Sequence, residues 1–293
     1  MSLDTSFDIK NIVCLYIYDL KDTINLYNLN KNHQDNIRIT NLYDIKKNIQ
    51  KLNQEIIEQN KYKYVEKLNV NCNKKIWNVN HMKRTLKKLR CSYGSGIDQT
   101  GISELNLIEL NADNNEKIKN VNHMKKTLKI LKCSFCCAID QYGISELNLI
   151  ELYASDNEKI KNVNHMKNKL KILCCSGCYC GIDQNGIFEL NLIELNAAGN
   201  EKIKNVNHMR NTLKKLCCGY GCGINQNGIS ELNLIELDAH DNKKIKNVNH
   251  MKNTLKILNC GWDCGIDQNG IFELNLTELY AFENKKIKKI YLN

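Results

Sequence analysis

Thiols and imidazoles are the residues with the most chemical potential in this chain of 293 residues, which holds 15 Cys and 7 His. The cysteines gather as Cys133/Cys136/Cys137, Cys174/Cys175/Cys178/Cys180 and Cys217/Cys218/Cys222. Two C-x-x-C pairs at a suitable separation would make a thiolate zinc site. Five histidines sit in one string, Asn-Val-Asn-His-Met, at His81, His123, His165, His208 and His250. An Asp-Gln pair recurs at Asp98, Asp140, Asp183 and Asp267, with Asn225 in the fifth copy. No G-x-S-x-G, H-E-x-x-H, P-loop or paired-glycine dinucleotide motif is present. An active site is normally unique, whereas each of these groups is copied along the chain, so the residues do not point to an enzyme.

The copying is the main message. The five histidines are spaced by 42, 42, 43 and 42 residues, and a second string, Gly-Ile-Asp-Gln-x-Gly-Ile in its commonest form, lies between them. Each unit of about 42 residues thus has two unlike halves. One reads L-x-x-L-x-A-x-x-N-x-x-I-x-x-V, as in Leu107, Leu110, Ala112, Asn115, Ile118 and Val121, with further copies from Val65, Leu149, Leu192, Leu234 and Leu276. The other reads L-x-x-L-x-C followed by I-D-Q-x-G-I, as in Leu128, Leu131, Cys133, Ile139, Asp140, Gly143 and Ile144, with copies from Leu86, Leu170, Leu213 and Leu255. Eleven turns of about 21 residues run without a gap from Val65 to Asn293. The extra residue near Cys178–Cys180 belongs in the bend after a strand, because the framework from Leu170 to Cys175 is intact.

This pattern resembles the leucine-rich repeat. L-x-x-L-x-[small apolar] turns alternate side chains of a short strand into a core, and the asparagine nine residues in (Asn73, Asn115, Asn157, Asn200, Asn242, Asn284) can satisfy the backbone of the following bend. Ile and Val at three-residue steps suit a helical or 3-10 return. The resemblance implies an α/β solenoid, a leucine-rich-repeat arc with parallel concave strands and helical or 3-10 return segments, plus a small helical N-terminal region. The run Cys133, Cys136, Ile139, Asp140, Gly143, Ile144 is similar to the cysteine-containing subclass found in F-box proteins, which recruit substrates to cullin–RING ubiquitin ligases. The first Cys of that motif is replaced by Gly94, Gly221 and Asp263 in other copies.

The repeats settle the thiols and imidazoles. Cys91, Cys133, Cys175, Cys218 and Cys260 occupy the inward site that holds Ala in alternate turns, so they read as core residues, and strand alternation turns their neighbours the other way. The histidines fall on the return segments about 10 Å apart, two strands at ~4.8 Å each, too far to share a zinc with ligands at about 2 Å. They read as surface positions copied with the repeat. No cofactor or metal is expected.

Residues 1–64 differ in kind. Apolar residues at Leu20, Ile24, Leu26 and Leu29, then Ile45, Ile49, Leu52, Ile56 and Ile57, recur at helical spacing. The bland reading is a helical cap on the open solenoid end. The sharper one is a degenerate F-box: Tyr18–Lys31 is similar to the middle helices of that family, which implies contact of Leu20, Ile24, Leu26 and Leu29 with a ligase adaptor. Family members begin with Leu-Pro, and this chain has no Pro.

Formal net charge is +10, with 42 Lys+Arg against 32 Asp+Glu, but Asn (45 residues), Ile and Lys are all in excess, as codon bias would produce. Nucleic acid is therefore not the expected partner. The longest apolar run, Ile12 to Tyr18, falls well short of the ~20 residues of a membrane span, and the N-terminus lacks secretory-signal features. A cytoplasmic or nuclear, non-secreted monomer with reduced thiols is expected.

Variable positions in a constant frame mark a candidate surface. The outward residues of the strand, at the third, fifth, seventh and eighth positions of a turn, should face the concave side and carry Arg90, Tyr93, Lys132, Phe135, Tyr153, Tyr220, Asp238, Trp262 and Tyr280, with Gly177 leaving a notch in the aromatic row. Arg90 and Lys132 make the N-terminal half basic; Asp238, Asp241 and Glu283 make the C-terminal half acidic. Exposed aromatics beside charges favour protein binding. The sequence therefore reads as a protein-interaction module, either the substrate-recognition subunit of an F-box ubiquitin ligase or a stand-alone scaffold or viral decoy in which residues 1–64 only cap the repeats.

Overall fold

The computed structural model describes residues 21, 24, 39–43 and 49–288. The chain divides into two compact units, Met1–Leu147 and Asn148–Asn293. The first holds parallel strands β1 (Asn41–Leu42), β2 (Lys67–Asn69), β3 (Lys88–Arg90), β4 (Glu109–Asn111) and β5 (Ile130–Lys132). They pair in sequence order with Leu42, Leu68, Leu89, Leu110 and Leu131 in register. The second holds β6 (Glu151–Tyr153), β7 (Ile172–Cys174), β8 (Glu194–Asn196), β9 (Lys215–Cys217), β10 (Glu236–Asp238), β11 (Ile257–Asn259) and β12 (Glu278–Tyr280). These also pair in sequence order, with Leu152, Leu173, Leu195, Leu216, Leu237, Leu258 and Leu279 in register. The extra residue between Cys175 and Ile182 leaves the pairing of β7 with β8 undisturbed.

Each strand from β2 onward is three residues long, and its middle leucine points inward. The two outer residues lie on the opposite face, partly or fully exposed except for the buried Asn111, and the next inward site is the small residue just past the strand: Cys91, Ala112, Cys133, Ala154, Cys175, Ala197, Cys218, Ala239 and Cys260 are all buried. The return is a 3-10 turn such as Asn122–Met124 or Tyr142–Ile144. The 3-10 form climbs ~2.0 Å per residue, so a turn of about 21 residues closes with few residues spent on the return. Ile118, Val121 and Met124 from one kind of turn, and Ile139, Ile144 and Leu147 from the other, fill the core behind the strands.

Polar side chains stitch each turn to its neighbour. Asn200 Nδ2 donates to Cys175 O at 2.9 Å and Ile182 O at 3.0 Å, and its Oδ1 accepts from Lys202 N at 3.0 Å. Asn115, Asn242 and Asn284 make the same donations. The Asp-Gln pair has an equally structural task. Asp98 Oδ1 accepts from Gly101 N at 3.0 Å. Gln99 Oε1 accepts from Lys119 N and Asn120 N at 2.9 Å, while its Nε2 donates to Asn120 O at 2.8 Å. Glycine follows for a steric reason: a Cβ on Gly101 would lie 2.0 Å from Trp77 O, and on Gly186 2.0 Å from Lys161 O.

The ladder reaches further upstream than the pattern from Val65 onward predicts. β1 lies in the segment read as the helical N-terminal region, and Ile39, Leu42, Leu52, Ile57 and Tyr62 are buried. Asn53 Oδ1 accepts from Ile56 N at 2.9 Å. Gln54 Oε1 accepts from Trp77 N and Asn78 N, and its Nε2 donates to Asn78 O at 2.8 Å. Asn53-Gln54 therefore does what Asp98-Gln99 does, in a turn whose remaining residues have drifted. The helical spacing there corresponds to a short α turn, Gln54–Ile57, between 3-10 turns Ile49–Lys51 and Asn60–Tyr62. At the other end Leu276 and Leu279 are only half-buried, where Leu234 and Leu237 are fully so.

The asparagine rungs are the costliest groups to remove. Asn200→Ala should lower unfolding free energy by ~2–6 kcal/mol in urea titration, since it strands two buried carbonyls at ~1–3 kcal/mol each. Asn185→Ala, on the exposed return, should change it by under ~0.5 kcal/mol.

Candidate interaction surface

The outward strand residues of the first unit are basic. Lys67 and Asn69 on β2, Lys88 and Arg90 on β3, and Lys132 at the end of β5 share that face with Glu109 and Asn111 of β4. Lys88 Nζ meets Glu109 Oε2 at 2.7 Å. The Arg90 guanidinium lies 5.2 Å from the centre of the Tyr43 ring, so this predicted site residue is stacked on β1's flank.

The second unit presents a different face. Glu151, Glu194, Glu236 and Glu278 open β6, β8, β10 and β12, and Ile172 and Ile257 hold that place on β7 and β11. Tyr153 and Tyr280 close their strands, and their phenols donate to Glu151 Oε2 at 2.9 Å and Glu278 Oε2 at 2.5 Å. Burial, reinforced by that carboxylate, pushes the Tyr153 phenol up to about 12. Asp238 is tied into its own neighbourhood: its Oδ1 lies 2.8 Å from His240 Nδ1, and the Cys217 Sγ donates to Oδ2 at 3.7 Å. Burial first, then Asp238, raises the Cys217 thiol to about 12, which removes it as a nucleophile at neutral pH.

The predicted aromatics are not strand residues. Tyr93, Phe135, Tyr220 and Trp262 stand in the turn just past the strand, with exposures of 71%, 49%, 69% and 57%. Phe135, Tyr220 and Trp262 have φ of 62°, 55° and 58°, in the left-handed region where a Cβ costs ~1–2 kcal/mol. The same place in other turns holds Cys72, Asn114, Asp156, Gly199, Asp241 and Glu283, also left-handed, so the conformation belongs to the turn and the aromatic is the variable part. Trp262 packs edge-on to Phe282 with centroids 5.8 Å apart, and Tyr220 lies 6.1 Å from the His240 ring. Grooves of about 540 Å³, lined by Asp241, Trp262 and Glu283, and about 480 Å³, lined by Tyr93, Asn114 and Lys117, adjoin two of these aromatics. The notch expected at Gly177 is filled: a Cβ there would lie 2.0 Å from Asp156 Oδ1, and Tyr179 N donates to that carboxylate. Exposed Tyr179 and Phe282 were missed by the repeat pattern, one because it sits in the inserted residue's bend and the other because its turn is of the asparagine kind.

The histidines lie mostly at the surface, as expected, and four of them also bond a neighbouring turn. The Nε2–H of His123 donates to Ile102 O and that of His208 to Ile187 O, both at 3.1 Å, and His81 and His250 make the same bond. His208 is half-buried and His81, His123 and His250 are exposed, and each ring braces one turn against the turn before it. The lysines are likewise committed: Lys202, Lys244 and Lys286 donate to Cys180 O, Cys222 O and Cys264 O, and Lys125, Lys167 and Lys252 pair with Glu146, Glu189 and Glu273. Of the cysteine clusters, Cys133, Cys137, Cys175, Cys180, Cys218 and Cys222 are buried while Cys136 and Cys178 are exposed. The Cys175 thiol, in contact with Cys180 and fully buried, is held well above the ordinary thiol range. Among the described residues no group of three or more His, Cys, Asp or Glu is placed to hold a metal. Of the residues proposed to meet an adaptor, Ile24 is half-buried; Leu20, Leu26 and Leu29 lie outside the described residues.

Stacked three-residue parallel strands, buried asparagine rungs and 3-10 returns make each unit a leucine-rich-repeat solenoid, with no helix among the described residues long and apolar enough to cross a membrane. A chain in the crystal structure of the Rad7 and Elc1 complex in yeast is similar at 15% identity and a TM-score of 0.45, over 97% of this chain and 90% of that one. No family model and no curated protein matches the chain.

Two predictions follow from this geometry. Burial depresses the His123 and His208 imidazoles below the ordinary 6.5. Above that value both folded and unfolded chains are neutral there; as pH falls through it the unfolded chain takes up protons first, so stability is lost. The thermal midpoint should drop between pH 7.5 and 5.5, and the drop should shrink in His123→Gln/His208→Gln. At the turn aromatics, Phe135→Gly should exceed Phe135→Ala in stability by about 1 kcal/mol in urea titration, because only Gly escapes the left-handed penalty.

Proposed function

We propose that the chain is a non-catalytic protein-interaction scaffold that takes a protein or peptide segment against its strand face and the adjoining turn aromatics. One observation carries this reading: large aromatic side chains are exposed at Phe135, Tyr220 and Trp262 in left-handed backbone, where Gly or Asn would be more stable. A side chain that lowers stability and stays in solvent is kept for contact with something else. Tyr and Trp anchors of this kind dominate protein interfaces, at ~2 kcal/mol or more each when truncated. The glutamate row of the second unit argues against a uniformly anionic partner such as nucleic acid.

Within this reading the chain acts as a monomer in the cytoplasm or nucleus. Its finer role is substrate recognition for an F-box ubiquitin ligase, for which the support is the resemblance of Tyr18–Lys31 and of the cysteine-type turns. The other role is a stand-alone scaffold or decoy, which the continuation of the ladder into Asn41–Leu42 favours, since a segment absorbed into the repeats serves as their cap.

Affinity capture with quantitative mass spectrometry tests the scaffold. Trp262→Ala and Tyr220→Ala should each reduce recovery of the specific partner at least tenfold with the melting curve retained, while Tyr142→Ala, an equally exposed aromatic on the return, should not. Co-expression with a ligase adaptor separates the two roles: binding lost on deleting residues 1–38 supports the ligase subunit, and an adaptor that never co-purifies leaves the scaffold.

A further inference from the structure

The second unit's strand face has a spacing that selects the conformation of what it binds. Glu151, Glu194, Glu236 and Glu278 open every second strand, and at ~4.8 Å per strand they stand about 9.6 Å apart. A segment laid across the strands meets them in step only if its own same-side residues repeat at that distance. An extended β-strand repeats every ~6.7 Å, and an α-helix offers ~10.5 Å only every seventh residue. Polyproline II has three residues per turn and ~3.1 Å rise, so every third residue returns to one side after about 9.3 Å. The mismatch over the four glutamates is about 1 Å, within the reach of a lysine or arginine stem.

We propose, resting on the interaction reading above, that this face takes a polyproline-II segment of a partner protein with Lys or Arg at every third residue over about ten residues. Between the glutamates, half-buried Ile172 and Ile257 offer apolar ground for the basic side chains' methylenes. The Tyr153 and Tyr280 phenols orient the two outer carboxylates, which keep acceptor capacity for an incoming donor. Lys215 pairs with Glu236 at 2.8 Å; as an exposed pair it is exchangeable against the ligand. Lys171, Lys214 and Lys256 immediately precede the intervening β7, β9 and β11, so the face is not uniformly acidic. Spacing, not bulk charge, is what it recognises.

The test uses the full chain and fluorescein-labelled 14-residue peptides of one composition, four Lys in a Pro/Gln background, with Lys at every second, third or fourth residue. A 22-residue helical peptide with four Lys, one at every seventh residue, is the fourth probe. In fluorescence anisotropy the every-third peptide should bind at least fivefold tighter than the others and weaken with salt. Glu194→Gln/Glu236→Gln should cut that affinity about tenfold, and Lys215→Ala should tighten it, each with an unchanged melting curve. Equal affinity for all spacings, preference for the helical probe, or indifference to the glutamate and Lys215 variants would overturn the proposal. If the peptides fail while Trp262→Ala still abolishes partner capture, the segment class is wrong and the scaffold reading stands.

Discussion

No turn of this chain can satisfy its own backbone, and that constraint organises everything else. A three-residue strand followed by a sharp bend leaves buried carbonyls that neither helix nor sheet can reach. The neighbouring turn supplies the missing donors: Asn115, Asn200, Asn242 and Asn284 each reach back to two carbonyls of the turn before. Gln99, Gln184 and Gln226 reach forward on the return side, each donating to one carbonyl of the turn after, and the histidines, reaching back, add a third rung. Because buried unmet polar groups are costly, these residues are copied with the repeat and are closed to functional variation.

That division explains where function can reside. Every inward site and every rung is committed, including groups that in isolation suggest chemistry. The cysteines are small core residues or their thiol neighbours, and burial holds several of their thiols above the ordinary range. Several of the lysines that give the chain its basic balance cap carbonyls, as Lys202, Lys244 and Lys286 do, or form exposed ion pairs worth ~0–1 kcal/mol. What varies freely is the outward strand pair and the left-handed turn residue after it. The aromatics and carboxylates collect there, on backbone held rigid by the rungs beneath, which is the arrangement that lets a binding surface keep its shape.

The alternation of two turn types adds an unplanned regularity. Because the second unit's asparagine-type turns carry glutamate at the strand start and its cysteine-type turns carry Ile or Lys there, negative charge on that face has twice the strand period. Duplication of a 42-residue unit thus writes a spacing of about 9.6 Å onto the surface, a length scale absent from any single turn.

Much of this was legible in the residues alone. The period, the strand positions, the inward cysteines and the asparagine rungs follow from spacing, since a turn too small to bury its own apolar face admits few arrangements. Other features needed the tertiary structure. The turn before Val65 escaped notice because only Leu42 and the pair Asn53-Gln54 keep the pattern, and their role shows only when their hydrogen bonds to Trp77 and Asn78 are seen. The histidines are surface residues as their spacing implied, but their bond to a backbone carbonyl about 21 residues away was not legible, because backbone leaves no trace in side-chain spacing. The space beside Gly177 looked open because Asp156, which fills it, is 21 residues off. Position in the repeat determined which side chains are constrained; which neighbour constrains them was decided by the stacking of one turn on the next.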